Sequence, residues 1–397
     1  MNLNEATRAF IRAHTTDDVR QLALRGTKDP QVDLPFALQQ IEGRQKAQAK
    51  LPEHFAQEEI LYPVTQSMEQ CSSAITADYK ATLIKGTSLA DLSGGFGVDT
   101  FAFARHFRHC TYIEPQPELC DIVRHNATVF GLDNIEIRQG TMEEQMGNIG
   151  QVDWLYVDPS RRDSHGRRVV TLEACTPDLT QCLPLLHAHA RKGMLAKLSP
   201  LIDLGGTLRQ LPETAEIHVV AVNGECKEVL FLLRFEEKTH NTPIKIWAIN
   251  FVQGQPRAFA FTLEDEAAAK PVLATNLGSY LYEPNAAILK AGAFKCLATR
   301  FGIQKLHPHS HLYTSDTLLP DFPGRTFSIM EQIPFGKRTA TAVAAITDRA
   351  NVAVRNFPLT AEELKAKLKL KDGGDVYLFG TTLSGGDKTL LLCKRMP

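Results

Sequence analysis

The sequence feature that most restricts the fold is the segment Asp91-Leu-Ser-Gly-Gly-Phe-Gly-Val-Asp-Thr100. A short apolar run, Thr87-Ser-Leu-Ala90, precedes it, and an apolar stretch typical of a helix, Phe101-Ala-Phe-Ala-Arg105, follows it. A strand ending in an acidic residue, then a glycine-rich turn, then a helix is the first βα unit of a nucleotide-binding parallel sheet. Glycine allows the backbone to pass close to a ligand, where a Cβ atom would collide. The segment therefore predicts an α/β domain with a cofactor bound over the turn.

The charges around this turn indicate which cofactor fits. A dinucleotide site needs a third small residue and a helix N-terminus free of acids for the pyrophosphate. Here these positions hold Thr100 and Asp99. A carboxylate would repel a pyrophosphate, whereas S-adenosylmethionine has no phosphate and carries a cationic sulfonium, which also suits Asp91. The alternative is an ordinary glycine-rich turn with acids on the surface.

The next two strands supply further candidate contacts. His109–Glu114 ends in an acid about twenty residues after the glycines, the spacing at which a carboxylate binds ribose hydroxyls. Ile135–Gln139 precedes Thr141 and Met142, which we assign to the adenine pocket. The predicted cofactor-binding residues are Asp91, Ser93, Gly94, Gly95, Phe96, Gly97, Asp99, Glu114, Pro115, Thr141, Met142 and Asp158.

A predicted fourth strand, Val152–Asp158, places Asp158-Pro159 at the same carboxyl edge of the sheet, where doubly wound sheets bind their ligands. Methyl transfer to a nucleophile is mainly a matter of positioning and of a suitably charged pocket. A nucleophilic nitrogen could donate a hydrogen bond to Asp158, while Pro159 fixes the backbone. These two residues are the predicted catalytic pair. The alternative is a helix cap followed by a turn proline.

Basic residues follow this strand closely. Arg161, Arg162, Arg167 and Arg168 form the densest basic cluster of the chain, and guanidinium groups bind phosphate oxygens bidentately. Lys197 ends the predicted fifth strand at the same edge. We predict that Arg161, Arg162 and Lys197 bind the substrate. Solvated surface arginines and a structural lysine are the alternatives.

Composition limits the class of protein. The 397 residues are 43% hydrophobic and 22% charged, with a net charge of −1, which describes a globular chain of two or three domains. No apolar run approaches the ~20 residues that cross a bilayer, and the N-terminus lacks a secretory signal. The eight cysteines form no C-x-x-C pair, and His307-Pro-His-Ser-His311 has no acid or cysteine at ligand spacing. We therefore expect a cytoplasmic protein without a metal site.

The pattern of elements predicts four regions: a helical part (1–85), a parallel-sheet domain (86–240), a β pair with a small segment (241–325) and a C-terminal α/β module (326–397). The sheet domain has five predicted parallel strands and ends in a hairpin around Asn223-Gly224. The other predicted helices are Glu5–Arg12, Asp17–Leu24, Pro35–Lys46, Val64–Leu83, one starting at Glu283 and one over Thr360–Leu370. The other predicted strands are Ser88–Asp91, Gly193–Leu198, Ile217–Val222, Val229–Phe235, Ile244–Val252, Ala258–Leu263, Asn351–Asn356, Asp375–Thr382 and Lys388–Lys394.

These motifs resemble those of the class I S-adenosylmethionine-dependent methyltransferases, over about residues 64–238. Asp91-Leu-Ser-Gly-Gly-Phe-Gly97 is similar to motif I, Glu114 to the motif II acid and Asp158-Pro-Ser-Arg161 to motif IV. Ser93 stands where motif I usually has its first glycine. The resemblance implies a Rossmann-like core that binds S-adenosylmethionine.

The whole chain also resembles the bacterial THUMP-like-domain methyltransferases, through Asp158–Arg162, Lys197-Leu-Ser-Pro200 and the run from Arg355-Asn-Phe-Pro358 to Lys394. That resemblance implies a helical N-terminal part, a ferredoxin-like segment and a THUMP-like C-terminal module. It also implies an RNA substrate, tRNA or rRNA. Ser160 and Arg161 replace the second proline and the aromatic residue of similar base-amino methyltransferases, which leaves the methylated atom open.

Two alternatives to an RNA methyltransferase remain from the sequence. One is a methyltransferase of a small molecule or protein, which the nearly neutral charge favours. The other is an RNA-binding protein whose methyltransferase-like core is catalytically silent, although Asp91, the glycines, Glu114 and Asp158 are all present.

Overall fold

Helices and strands alternate along most of the computed structural model, which describes residues 4–159, 171–235 and 242–396. The strands are β1 (Ser88–Asp91), β2 (His109–Glu114), β3 (Ile135–Gln139), β4 (Val152–Val157), β5 (Ala190–Leu198), β6 (Thr214–Val222), β7 (Glu225–Arg234), β8 (Lys245–Val252), β9 (Gln255–Thr262), β10 (Tyr280–Pro284), β11 (Gln304–His307), β12 (Ser310–Ser315), β13 (Gly324–Pro334), β14 (Asn351–Arg355), β15 (Val376–Thr382) and β16 (Lys388–Arg395). The helices are α1 (Glu5–Ala13), α2 (Val19–Arg25), α3 (Leu34–Lys50), α4 (Pro52–Ala56), α5 (Thr65–Gln70), α6 (Ala74–Leu83), α7 (Val98–Ala104), α8 (Pro117–Val129), α9 (Met142–Gln145), α10 (Leu179–His189), α11 (Leu204–Gln210), α12 (Leu263–Ala268), α13 (Ala286–Ala291), α14 (Lys295–Phe301), α15 (Thr339–Ala344) and α16 (Ala361–Leu368). Among the described helices, none combines the length and the apolar character needed to cross a bilayer.

The first sheet has the strand order β3-β2-β1-β4-β5-β7-β6-β8-β9. Strands β1 to β5 are parallel, with Asp91 opposite both Tyr112 and Tyr156 and Val157 opposite Ala196. Every residue of β4 is buried, as expected for a strand with elements on both of its faces. This register brings the carboxyl ends of β1, β2, β4 and β5 to one edge, so the sequence prediction of a doubly wound α/β core is confirmed.

The hairpin between β6 and β7 is also confirmed. Asn223 and Gly224 both have positive φ, at 50° and 82°, as a two-residue turn of type I′ requires. Strand β8 then pairs parallel with β6 and antiparallel with β9.

The N-terminal region is helical, as predicted, with one correction. The single helix expected over Val64–Leu83 is two helices, α5 and α6, because Cys71 and Ser73 are extended. Between them, the hydroxyl of Ser72 donates a hydrogen bond to Asp99 at 2.8 Å. The break thus directs a polar residue toward the start of α7.

The chain divides into two compact units, residues 1–214 with 230–240 and residues 215–229 with 241–397. The second unit contains a sheet of order β11-β12-β10-β13-β16-β15-β14. One apolar cluster of this sheet contains Leu281, Leu312, Phe327, Phe379 and Leu391. The finer four-part division remains a prediction.

Two predictions in the second unit are wrong. The acidic, alanine-rich run Glu264–Lys270 is predicted from the sequence to be a link between elements, but most of it lies in helix α12, because Thr262 and Asp265 make a reciprocal capping box. The helix expected from Glu283 starts only at Ala286, since Glu283 and Pro284 complete strand β10 and Asn285 caps the helix. By contrast, the sequence predicts a capping box of Thr360 with Glu363 at the start of the last helix, and this box is present at α16.

Candidate active site

The glycine turn after β1 leaves room for a ligand at one position. Gly95 has a φ of +54°, and the nearest atom to a Cβ built there would be the Ser93 carbonyl oxygen at 3.8 Å. A Cβ at Gly94 would lie 2.1 Å from the Tyr112 ring, and one at Gly97 (φ +79°) would lie 2.9 Å from Val123. Gly94 and Gly97 are therefore needed for internal packing. Gly95 faces open space, as the cradle of a closely bound ligand would.

Asp91 lies beneath this turn and is 1% exposed. Its carboxylate accepts hydrogen bonds from the Thr100 hydroxyl at 2.6 Å and from the Ser93 amide at 3.0 Å. Burial raises the pKa of Asp91 to about 7, and the hydrogen bonds offset only part of this shift. A cationic ligand at the turn would favour the ionised form of this carboxyl.

Glu114 closes the other side of the turn. Its Oε2 accepts a hydrogen bond from the Gly95 amide at 2.9 Å, and its Oε1 accepts one from the Gln116 amide at 3.0 Å. These bonds fix the carboxylate beside Gly95. Because each carboxylate oxygen has a further lone pair, Glu114 can still accept hydrogen bonds from hydroxyl groups of a ligand.

Asp99 belongs to a buried network behind the turn. It forms an ion pair with Lys80, whose side chain is fully buried, at 3.2 Å, and accepts hydrogen bonds from Ser72 at 2.8 Å and from Tyr156 at 2.7 Å. Burial alone would raise the pKa of Asp99, but the charges of Lys80 and Lys197, together with the hydrogen bonds from Tyr156 and Ser72, outweigh it and hold the pKa below its ordinary value. Contact of Asp99 with a cofactor remains a prediction.

Asp158 and Lys197 meet at the ends of β4 and β5. The Lys197 ammonium donates to Oδ2 of Asp158, and the two side chains are 4% and 27% exposed, respectively. The Asp158 amide donates to the Ser93 hydroxyl at 2.6 Å, which joins this pair to the glycine turn. The structure therefore brings the predicted catalytic acid, the predicted substrate lysine and the cofactor turn together.

The other predicted site residues have different surroundings. Phe96 is buried and its ring lies 5.6 Å from that of His54. Thr141 caps α9 through a capping box with Glu144, Met142 is buried at the start of that helix, and Pro115 is exposed. Pro159 is buried. Arg161 and Arg162 lie outside the described residues, as do Ser160, Arg167 and Arg168.

Sequence reasoning missed Lys80, Ser72 and Tyr156, the partners of Asp99. None of them belongs to a motif, and Tyr156 is 57 residues from Asp99 along the chain. Only for Tyr156 does the sequence hold a clue to its place in the site: it is two residues before Asp158, and residues two apart on a strand point to the same face of the sheet. His307 and Ser310 flank the turn of the β11–β12 hairpin, and no group of His, Cys, Asp or Glu in the described parts of the chain could hold a metal ion.

The core has three features of an S-adenosylmethionine-dependent methyltransferase. The first strand of its parallel sheet ends in a buried acid, the glycine turn is open at Gly95, and a second strand ends in a carboxylate. Comparison with known proteins agrees. The chain is similar to a protein of Porphyromonas gingivalis W83 classed by inference as a methyltransferase, with 35% identity and a TM-score of 0.88, and each chain is covered fully. It is also 22% identical, over 333 residues, to an uncharacterised S-adenosylmethionine-dependent methyltransferase of Mycobacterium tuberculosis, covering 81% of this chain and 84% of the relative.

Two family models match the C-terminal part. Residues 280–323 match a ferredoxin-like domain, and residues 324–395 match a THUMP domain-like family. The chain therefore belongs to the bacterial class I S-adenosylmethionine-dependent methyltransferases with a THUMP-like domain, and S-adenosylmethionine is its cofactor.

Proposed function

We propose that this methyltransferase acts on RNA, either tRNA or rRNA. The observation that carries the proposal is the match of residues 324–395 to a THUMP domain-like family, because THUMP domains bind RNA. The charge arrangement in the same unit gives physical support.

Two arginines of that unit are oriented by one buried acid. Glu283 is 2% exposed and accepts hydrogen bonds from Arg325 Nε at 2.9 Å and from Arg355 Nη2 at 2.7 Å. The arginine side chains themselves are 42% and 36% exposed. A guanidinium held on one side by a carboxylate keeps N–H groups free to bind phosphate, so this pair suits an RNA backbone.

In the core, we propose that Asp91 and Glu114 hold the cofactor from the two sides of Gly95. When bound, S-adenosylmethionine supplies an electrophilic methyl group on a sulfonium. Asp91 would compensate positive charge, Glu114 would accept hydrogen bonds from ribose hydroxyls, and Gly95 would allow the close approach. Ser93, Phe96 and the residues after β3 are proposed to complete this pocket.

Asp158 is proposed to orient the methyl acceptor. An N–H or O–H group of the substrate would donate a hydrogen bond to the Asp158 carboxylate, which aims the acceptor lone pair and receives the proton as the new bond forms. Lys197 would hold Asp158 in place through their ion pair, and Pro159 would fix its backbone. Arg161 and Arg162 are proposed, from the sequence, as phosphate contacts beside this acid.

All eight cysteines carry free thiols, which fits a reducing compartment, and we propose the cytoplasm as the site of action.

Tritium transfer from labelled cofactor into RNA tests the substrate class. Fractionated RNA from a strain lacking this protein should accept label in the tRNA or rRNA fraction, and the Asp158→Ala enzyme should transfer label at least about a hundredfold more slowly. Label appearing only in protein or small molecules would instead support the alternative substrate class. Cofactor binding with no transfer to any cellular fraction would indicate a silent core.

A further inference from the structure

A cavity lies at the edge of the first sheet opposite to the methyl-transfer site, and methyl transfer does not account for the residues that line it. It has a volume of about 330 Å³ and is lined by Leu83, Lys85, Trp154, Lys192 and Arg234. Trp154 is the third residue of β4, and Lys192 is the third residue of β5. Asp158 lies four residues further along, about 13 Å at ~3.3 Å per residue. The cavity therefore cannot hold the methyl acceptor and belongs to a second site.

Three of its five lining side chains are cationic. Within the described residues, Lys85, Lys192 and Arg234 form no ion pair with a carboxylate. The adjacent Arg191, by contrast, binds Asp153 at 3.0 Å. Like charges converging on one concave surface repel each other, and an anionic ligand would relieve that repulsion.

Two of the three cations, Lys192 and Arg234, are also held in place. The Lys85 carbonyl oxygen accepts hydrogen bonds from Trp154 Nε1 at 3.0 Å and from the Lys192 ammonium at 3.3 Å. The Arg234 guanidinium lies over the Trp154 ring, 5.3 Å from its centre. A cation–π contact of this kind fixes the guanidinium while leaving its N–H edge available. The Trp154 ring is buried, so it serves as a support and not as a stacking platform.

We propose that this cavity binds a phosphate group, presented by a nucleotide or by an RNA backbone. One guanidinium fork and two ammonium groups match the oxygens of a phosphate, whose binding is dominated by charge-assisted hydrogen bonds. The proposal goes beyond methyl transfer and does not depend on the identity of the methylated substrate. A free nucleotide would make the cavity a ligand-sensing site, whereas a backbone phosphate would make it an RNA anchor.

Binding to four proteins tests this proposal: wild type, Lys192→Gln, the double variant Lys192→Gln/Arg234→Gln, and the control Lys28→Gln/Arg25→Gln. The control removes the same two charges from exposed positions. The single variant leaves the Arg234–Trp154 contact intact, so it guards against misfolding of the double variant. The probes are uridine monophosphate and pyrophosphate, by calorimetry, and a labelled ten-nucleotide single-stranded RNA, by fluorescence anisotropy. Saturating S-adenosylhomocysteine occupies the cofactor site throughout.

We expect at least one probe to bind wild type and control alike, with affinity about tenfold or more weaker in the double variant and an intermediate loss for Lys192→Gln. Binding of all probes indicates a free phosphate ester. Binding of RNA alone indicates a backbone phosphate, and the salt slope should then fall by about two in the double variant. The proposal is overturned if no probe binds wild type, or if cavity and control variants lose affinity equally. Neither result bears on methyl transfer, which is measured separately.

Discussion

At the residue scale, cofactor binding depends on Gly95, whose Cβ position is open, and on the carboxylates beside it. We predict that Gly95→Ala weakens S-adenosylmethionine binding by about tenfold or more, because the new Cβ fills the space of the ligand. Gly131→Ala is the matched control, since Gly131 has a similar φ of +66° and no atom lies within 4 Å of its Cβ position, while the single neighbour at Gly95 is at an ordinary contact distance of 3.8 Å. Both variants should lose about 1–2 kcal/mol of stability from backbone strain. Equal cofactor affinity of the two variants, measured by calorimetry, would contradict the assignment.

Gly97 is a poorer test position than the sequence suggests. From the motif alone, Gly97→Arg is expected to abolish cofactor binding while leaving the fold intact. The 2.9 Å approach to Val123 means that any side chain there disturbs packing as well. A loss of cofactor binding by a Gly97 variant could therefore come from a blocked cofactor site or from disturbed packing, and the experiment would not separate the two.

Asp91 predicts a dependence of cofactor binding on pH. Its pKa is raised from 3.8 to about 7, so the free protein gains stability from this group below pH 4 and loses it as the pH rises through 7. A cationic ligand favours the carboxylate, so affinity should rise with pH, by up to about tenfold per unit below pH 7. Calorimetry at pH 6 in buffers of different ionisation enthalpy should detect the release of a proton. Asp91→Asn should remove this slope; a slope that persists in the variant would exclude Asp91 as its source.

Asp158 is predicted to act on turnover and not on cofactor binding. Asp158→Ala should leave the dissociation constant of S-adenosylmethionine within about threefold and lower kcat by about a hundredfold or more, the range expected for a proton acceptor. Asp158→Asn keeps a hydrogen-bond acceptor for Lys197 and should show the same loss, because it cannot take a proton. An active Asp158→Asn enzyme would leave Asp158 only a structural role.

The placement of the candidate site residues could be predicted where the sequence signal is contiguous, whereas their roles remain predictions. Asp91, Gly95 and Glu114 follow from strand ends and a glycine turn, and the structure places Asp158 beside Lys197 as the parallel sheet requires. Lys80 could not be inferred, because a buried lysine looks like a surface lysine until the fold places Asp99 beside it.

At the element scale, the Lys80–Asp99 pair joins α6 to α7 behind the cofactor turn. Lys80→Met should lower the free energy of unfolding by about 3–5 kcal/mol, because it leaves a buried carboxylate without its cation. The exposed pair of Lys46 with Glu69 provides a control, and Lys46→Met should cost less than about 1 kcal/mol. Urea denaturation measures both values. A similar loss in the free energy of unfolding for the two variants would mean that the buried pair stabilises the fold no more than the exposed pair does.

Helices and strands could be predicted from the sequence where the spacing of apolar residues follows a single period. The bounds of β1 and β3 coincide with the prediction: β1 is a short buried apolar run before the glycine turn, whereas β3 is a half-exposed strand in which Ile135 and Ile137 alternate with polar residues. The division of Val64–Leu83 was missed because its cause is tertiary, with Ser72 bonded to Asp99. Strand β13 was also missed, since its pairing with β16 shifts register between Ile329 and Glu331 and interrupts the alternation.

At the scale of the whole molecule, cofactor binding and RNA binding should be separable. Arg355→Gln leaves Arg325 to pair with Glu283, so the second unit should remain folded. We predict that it weakens tRNA binding by roughly five- to tenfold at ~0.1 M salt and leaves cofactor affinity unchanged. Arg25→Gln, an exposed charge in the first unit, is the control. Filter binding at two salt concentrations would measure the effect, and equal tRNA affinity of both variants would remove Arg355 from the RNA surface.

The most direct test of the central claim is a crystal structure with S-adenosylhomocysteine bound. We predict ligand density over Gly95, with ribose hydroxyls within about 3 Å of the Glu114 carboxylate and the amino acid end beside Asp91. Density at any other place on the sheet, or no binding at concentrations that saturate related enzymes, would contradict the account.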